Sequence, residues 1–152
     1  MFDLAAALPG LLPKAIAWAE SESAQIIAKG IPLSDFGRKL AHLVDVRNPE
    51  NIRILEVPVI PVPEDPELRQ AALATGMLGA NTIGLTLGYG IYLVRGHKTN
   101  RLLSHECRHV YQYEVAGSIR AFLPQYLRQI AAFGYEGAPY EVDARAYELD
   151  TA

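Results

Sequence analysis

Cysteine is all but absent from these 152 residues: Cys107 stands alone, so no internal disulfide forms and nothing asks for an oxidising compartment. A basic cluster is missing too. The 14 lysines and arginines are scattered among 17 acidic residues, leaving a net charge of −3, and no stripe exists to neutralise a phosphate backbone. Nucleic acid is therefore not an expected partner. No apolar run approaches the roughly 20 residues that cross a bilayer, so no transmembrane segment is expected. The apolar opening "MFDLAAALPGLLPK" has no basic start, carries Asp3 and is interrupted by Pro9 and Pro13, which sets it apart from a secretion signal. The expected setting is the cytoplasm, and an amphipathic segment resting on a membrane surface is also compatible with the pattern.

What the chain does have is a globular balance: half of its residues are apolar and a fifth are charged. Its length suits one domain, residues 1–152, burying about two-thirds of the unfolded surface. Without repeats or linkers, the pattern divides into a helical part (1–50), an extended part (51–97) and a second helical part (98–152). Proline at the first turn and Gly30 just beyond the end predict a helix over 13–29. Ser34 caps a second helix with Phe36, Leu40 and Leu43 on one face. In "IRILEVPVIPVPEDP" the prolines favour an edge strand or extended arm, and residues 66–79 read as a short helix. "NTIGLTLGYGIYLVRG" alternates as a hairpin around Gly88 and Gly90. Gly117 and Pro124 mark breaks or kinks between later helices, and Pro139 opens the last one.

The chemistry concentrates in "LLSHECRHVYQYE", residues 102–114. Each helical residue advances about 100°, so His105 and His109 stand one turn apart on one face and can reach one metal ion. Glu106 falls about 80° to one side, where a general base for a metal-activated water belongs. Cys107 points the opposite way, into the packed face, and Arg108 borders the site on the side away from Glu106. A catalytic zinc site needs a third protein ligand. Glu141, in the first turn of the final helix, is the leading candidate, although the helix dipole alone would favour a carboxylate there. Asp143 points about 200° away from Glu141; it either orients an imidazole or caps the helix start.

"HECRH" followed by "VYQYE", with the later "PYEVDA", resembles the gluzincin branch of zinc metallopeptidases over about residues 82–150, whereas the first 80 residues resemble no metallopeptidase module. The resemblance implies one zinc ion held by His105, His109 and Glu141, with Glu106 as general base. It also implies an α+β, mostly helical zincin-like domain, with a small antiparallel β-hairpin or sheet before the motif helix. Arg108 departs from the uncharged residues that the stricter motif carries between its histidines. A cation beside the metal would weaken its binding or lower the pKa of its water.

No oxyanion stabiliser lies within the motif; His97, Tyr140 and Tyr147 are the candidates. Most tyrosines are expected to pack helices together, and His42 to be a surface or packing histidine. The expected activity is hydrolysis of an extended peptide or protein substrate laid against the strand near Tyr92. The alternative is a zinc-stabilised binding or structural protein without turnover.

Overall fold

The computed structural model describes residues 2–150. The amino-terminal helix starts nine residues before the position that Pro13 suggests. Helix α1 spans Leu4–Lys29, with the Asp3 carboxylate accepting from the Ala6 N–H. Pro9 and Pro13 lie inside it. Each removes one i→i−4 bond, but both stand on the exposed face with Ala5, so the freed carbonyls of Ala5 and Pro9 meet water rather than apolar core. The opposite face, including Leu4, Leu8, Leu11 and Ala15, is buried.

A two-residue strand β1 (Ile31–Pro32) leads into α2 (Asp35–Leu43), capped by Ser34 as its sequence predicts. The buried face of α2 is Gly37, Leu40 and Ala41, while Phe36 and Leu43 are exposed, correcting the predicted stripe. Strand β2 (Arg53–Val57) follows, then α3 (Pro66–Thr75), capped by Asp65. Strands β3 (Gly84–Leu87) and β4 (Gly90–Val94) form the predicted antiparallel hairpin.

The sheet is mixed, in the order β1-β2-β4-β3, with β2 and β4 parallel. Strand β2 is thus interior, not an edge or a loose arm. Its prolines explain the difference: Pro58, Pro61 and Pro63 all follow the last paired residue, Val57, and cost the ladder nothing. One sheet face, with Ile54, Ile91 and Leu93, packs on α2 and on Leu103, Cys107 and Val110 of the next helix. The other face meets α1 through Tyr92 and Ile26. Gly90 permits that approach, since a Cβ there would lie 2.9 Å from Ile26 Cβ.

Helix α4 (Asn100–Ala116) carries the histidines and is capped by Thr99. Helix α5 (Ile119–Gly137) runs unbroken through Pro124; its break falls at Gly134, whose φ of 78° suits glycine. Helix α6 (Pro139–Ala146) closes the fold. Among the described residues, six α-helices around a small sheet make this an α+β protein, and no helix is long and apolar enough to cross a membrane.

Candidate metal centre

Helix α4 packs one stripe into the core through Leu103, Cys107 and Val110, and this fixes the direction of everything else on it. His105, Glu106 and His109 turn toward α6, β3 and α5. Cys107 is fully buried, and burial pushes its thiol up to about 12, as expected of a small apolar packing residue.

Helix α6 has no capping side chain of its own. Instead Gln129 of α5 accepts from the Tyr140 N–H at 2.9 Å, pinning the start of α6 against α5. That anchoring helps to deliver Glu141 to the histidines. Its Oε1 lies 3.2 Å from His105 Nε2 and its Oε2 lies 3.1 Å from His109 Nε2. One ligand atom from each of the three residues lies within 4.8 Å of the others. The three side chains predicted to converge therefore do so, across 36 residues of chain.

Each has a further partner. His105 Nδ1 meets Glu148 Oε2 at 2.8 Å, and Glu148 is itself held by Arg101 Nε at 2.7 Å. The Ser104 hydroxyl accepts from the Leu149 N–H at 2.8 Å, fixing that segment against α4. His109 Nδ1 lies 2.7 Å from Gln112 Oε1, and Gln112 Nε2 donates to the Tyr140 carbonyl and to Asp143 Oδ2. Tyr126 donates to Glu141 Oε2 at 2.6 Å. Partners of this kind fix ring tautomer and orientation.

Glu106 is buried beneath β3. Thr86 Oγ1 donates to its Oε1 at 2.8 Å, and a Cβ added to Gly84 would lie 3.0 Å from its Oε2. Glycine at 84 thus leaves room for the carboxylate. Two cavities meet here: a mainly apolar chamber of about 100 Å³ and a larger groove of about 910 Å³. Glu106 lines both.

The electrostatics follow from mutual proximity. Burial opposes the charge on His109, but the hydrogen bond and charge of Glu141, with Glu106 and Gln112 behind them, raise its pKa to about 9. Burial opposes the charge on His105 as well, but the hydrogen bond and charge of Glu141 and the charge of Glu106 raise it, against the opposing charge of His109. Burial would raise Glu141, yet the bonds from His105, His109 and Tyr126 hold it well below the usual carboxylate range.

These shifts set a pH window for the metal-free protein. A raised histidine pKa gives stability that is full below 6.5 and lost as pH rises through about 9. A lowered Glu141 pKa gives stability present above 4.5 and lost as pH falls. Chelator-treated protein should be most stable between pH 4.5 and 6.5 and lose on the order of 3 kcal/mol toward alkaline pH, counting the shared contact once. Urea melts across the pH range measure it; a flat profile from pH 6 to 10 contradicts the assignment.

Several predicted neighbours lie elsewhere. Arg108 lines neither cavity. Its guanidinium bonds Asp143, Asp45 Oδ2 and the Val44 carbonyl, between the rings of Tyr111 and Tyr147. Tyr147 is thus its stacking partner and lines neither cavity. Tyr140 stacks on Phe122 and bonds Gln125, and His97 is exposed in the turn after β4. Asp143 reaches His109 only through Gln112. Sequence reasoning missed Glu148 and Tyr126. Glu148 follows α6, where helical arithmetic has no force, and Tyr126 sits among residues whose spacing signals packing alone. The strand beside Tyr92 is also displaced from its expected role: β4 is interior, Tyr92 is buried and donates to Glu22, and β3 is the sheet edge. Comparison of the chain with family models, with curated proteins and with solved structures gives no match.

Proposed function

We propose that this protein is a zinc-dependent hydrolase acting on peptides, with His105, His109 and Glu141 as the metal ligands and Glu106 as the general base. The observation that carries the reading is the convergence of two Nε2 atoms on one buried carboxylate, with each imidazole tied on its far side to Glu148 or Gln112. The donor set of two imidazoles and one carboxylate fits a catalytic zinc site. Zinc bound there would supply Lewis-acid polarisation of a carbonyl and acidify a water.

The remaining roles belong to the chain. Glu106, held by Thr86, takes a proton from the attacking water and delivers it to the leaving amine. Tyr126 holds Glu141 Oε2 from within the chamber wall. The substrate backbone lies along β3, the sheet edge, where Gly84 borders both cavities. The non-catalytic, zinc-stabilised alternative drew on Arg108 and on the unfamiliar amino-terminal half. Arg108 is neutralised by two carboxylates outside both cavities, which favours the hydrolase.

Metal analysis after zinc reconstitution is expected to give one ion per chain, and a mixed peptide library should be cleaved in a chelator-sensitive manner. Zinc content near zero would overturn the reading; stoichiometric zinc without cleavage would favour the non-catalytic alternative.

A further inference from the structure

The two cavities at the centre differ in kind. The groove is lined by His105, Arg101, Glu148 and the loop before β3. The chamber lies on the side of His109 and Glu141 and is lined mainly by apolar side chains; its far wall comes from the amino-terminal half: Leu11, Ala15 and Trp18 of α1 with Leu68 and Ala71 of α3. The cavities share Leu78, Gly84, Glu106 and Tyr135. A bond presented to Glu106 therefore has a groove of mixed polarity on one side and an apolar cavity on the other.

We infer that the chamber is a specificity pocket for one uncharged aliphatic side chain, of leucine or methionine size, next to the bond that is cut. This rests on the hydrolase reading above. Two observations fix the chemistry. At about 100 Å³ the chamber is smaller than the apolar cavity of about 150 Å³ that holds a whole benzene molecule, so it has room for one side chain of leucine or methionine size. The ionisable groups lining it are Glu106, His109 and Glu141 at the metal end, together with Tyr113, Tyr126 and Tyr135. The Tyr113 hydroxyl already donates to the Thr86 carbonyl and that of Tyr126 to Glu141. A charged side chain reaching the wall of α1 and α3 would lose its water without gaining a partner. The amino-terminal half, which carries none of the motif, thereby selects the substrate.

The test uses zinc-loaded protein and three hydroxamic acids that share one metal-binding head: acetohydroxamic, 4-methylpentanohydroxamic and 5-aminopentanohydroxamic acid. Calorimetry should show the branched alkyl compound binding at least tenfold tighter than acetohydroxamic acid, and the amino compound no tighter. Trp18 is the only tryptophan and lines the chamber, so its emission should shift with the alkyl compound and not with acetohydroxamic acid. In Ala71→Leu, or in Ala15→Leu should the first fold poorly, the alkyl advantage should fall within twofold while acetohydroxamic acid binds as before. Equal binding of all three with unchanged Trp18 emission overturns the pocket and leaves the hydrolase standing. Failure of acetohydroxamic acid itself to bind overturns the metal reading, and the pocket with it.

Discussion

Glu106→Gln is expected to lower peptide hydrolysis by about 10²–10⁴-fold, the usual contribution of a general base, while zinc content stays at one per chain. The substitution is nearly isosteric. An amide oxygen can still accept from the Thr86 hydroxyl, which now lies 2.8 Å from Glu106 Oε1, and no heavy atom is added beside Gly84, where Oε2 already fills the space. What is lost is the capacity to take a proton, together with a negative charge that helps to raise the pKa of His105 and His109 in the metal-free protein. Zinc affinity should change little, because Glu106 is absent from the three residues whose ligand atoms converge. Parallel measurements of turnover, metal content and urea midpoint separate these effects. Hydrolysis within a few-fold of the parent would assign the base to another group.

Arg108→Met should cost the fold about 2–3 kcal/mol. Removing one partner of a buried ion pair usually costs about 3–5 kcal/mol. The figure is reduced here because the Asp143 and Asp45 side chains are 35% and 56% exposed and stay in reach of water. Arg108 itself is 6% exposed and ties three parts of the chain together: the turn at Val44 and Asp45, Asp143 of α6, and the rings of Tyr111 and Tyr147. Asp45 takes a positive φ of 77°, a conformation that aspartate tolerates better than most residues, and its bond to Arg108 helps to hold it. Arg108→Lys should recover little, since one ammonium cannot reproduce a planar fork bonding two carboxylates and a carbonyl while stacked on two rings. Urea denaturation reads both variants. A loss below about 1 kcal/mol for Arg108→Met would mean that the ion-pair network contributes no more than a surface pair does.

The placement of Arg108 also shows what a motif read along the chain leaves out. Helix periodicity turns it away from Glu106, and it does turn away. But whether it borders a metal depends on what covers that side of α4, and this is settled by the 44–45 turn and Asp143, 63 and 35 residues distant in sequence. Position 58 gives a second example. A proline-rich stretch argues against an interior strand only if the prolines lie within the paired residues, and pairing ends at Val57. The amino-terminal helix gives a third, because whether Pro9 and Pro13 end a helix or sit harmlessly on its face depends on which side meets water.

By itself the sequence determined several features that follow from spacing within one helix or one turn: the shared face of His105 and His109, the lateral position of Glu106, the burial of Cys107, the cap at Ser34, and the hairpin around Gly88. These are local, because 100° per residue and the chemistry of a cap need no distant partner. Glu141 was legible as a candidate, since its helix position is local, but its meeting with the histidines comes from the placement of α6 against α4 and α5, where Gln112 and Gln129 both hold Tyr140. Glu148, Tyr126, the interior place of β2 and the chamber lined by α1 and α3 were decided only by the tertiary structure. Their partners are brought together by burying apolar faces from separate parts of the chain, and a force that depends on total area removed from water leaves no fixed spacing to read.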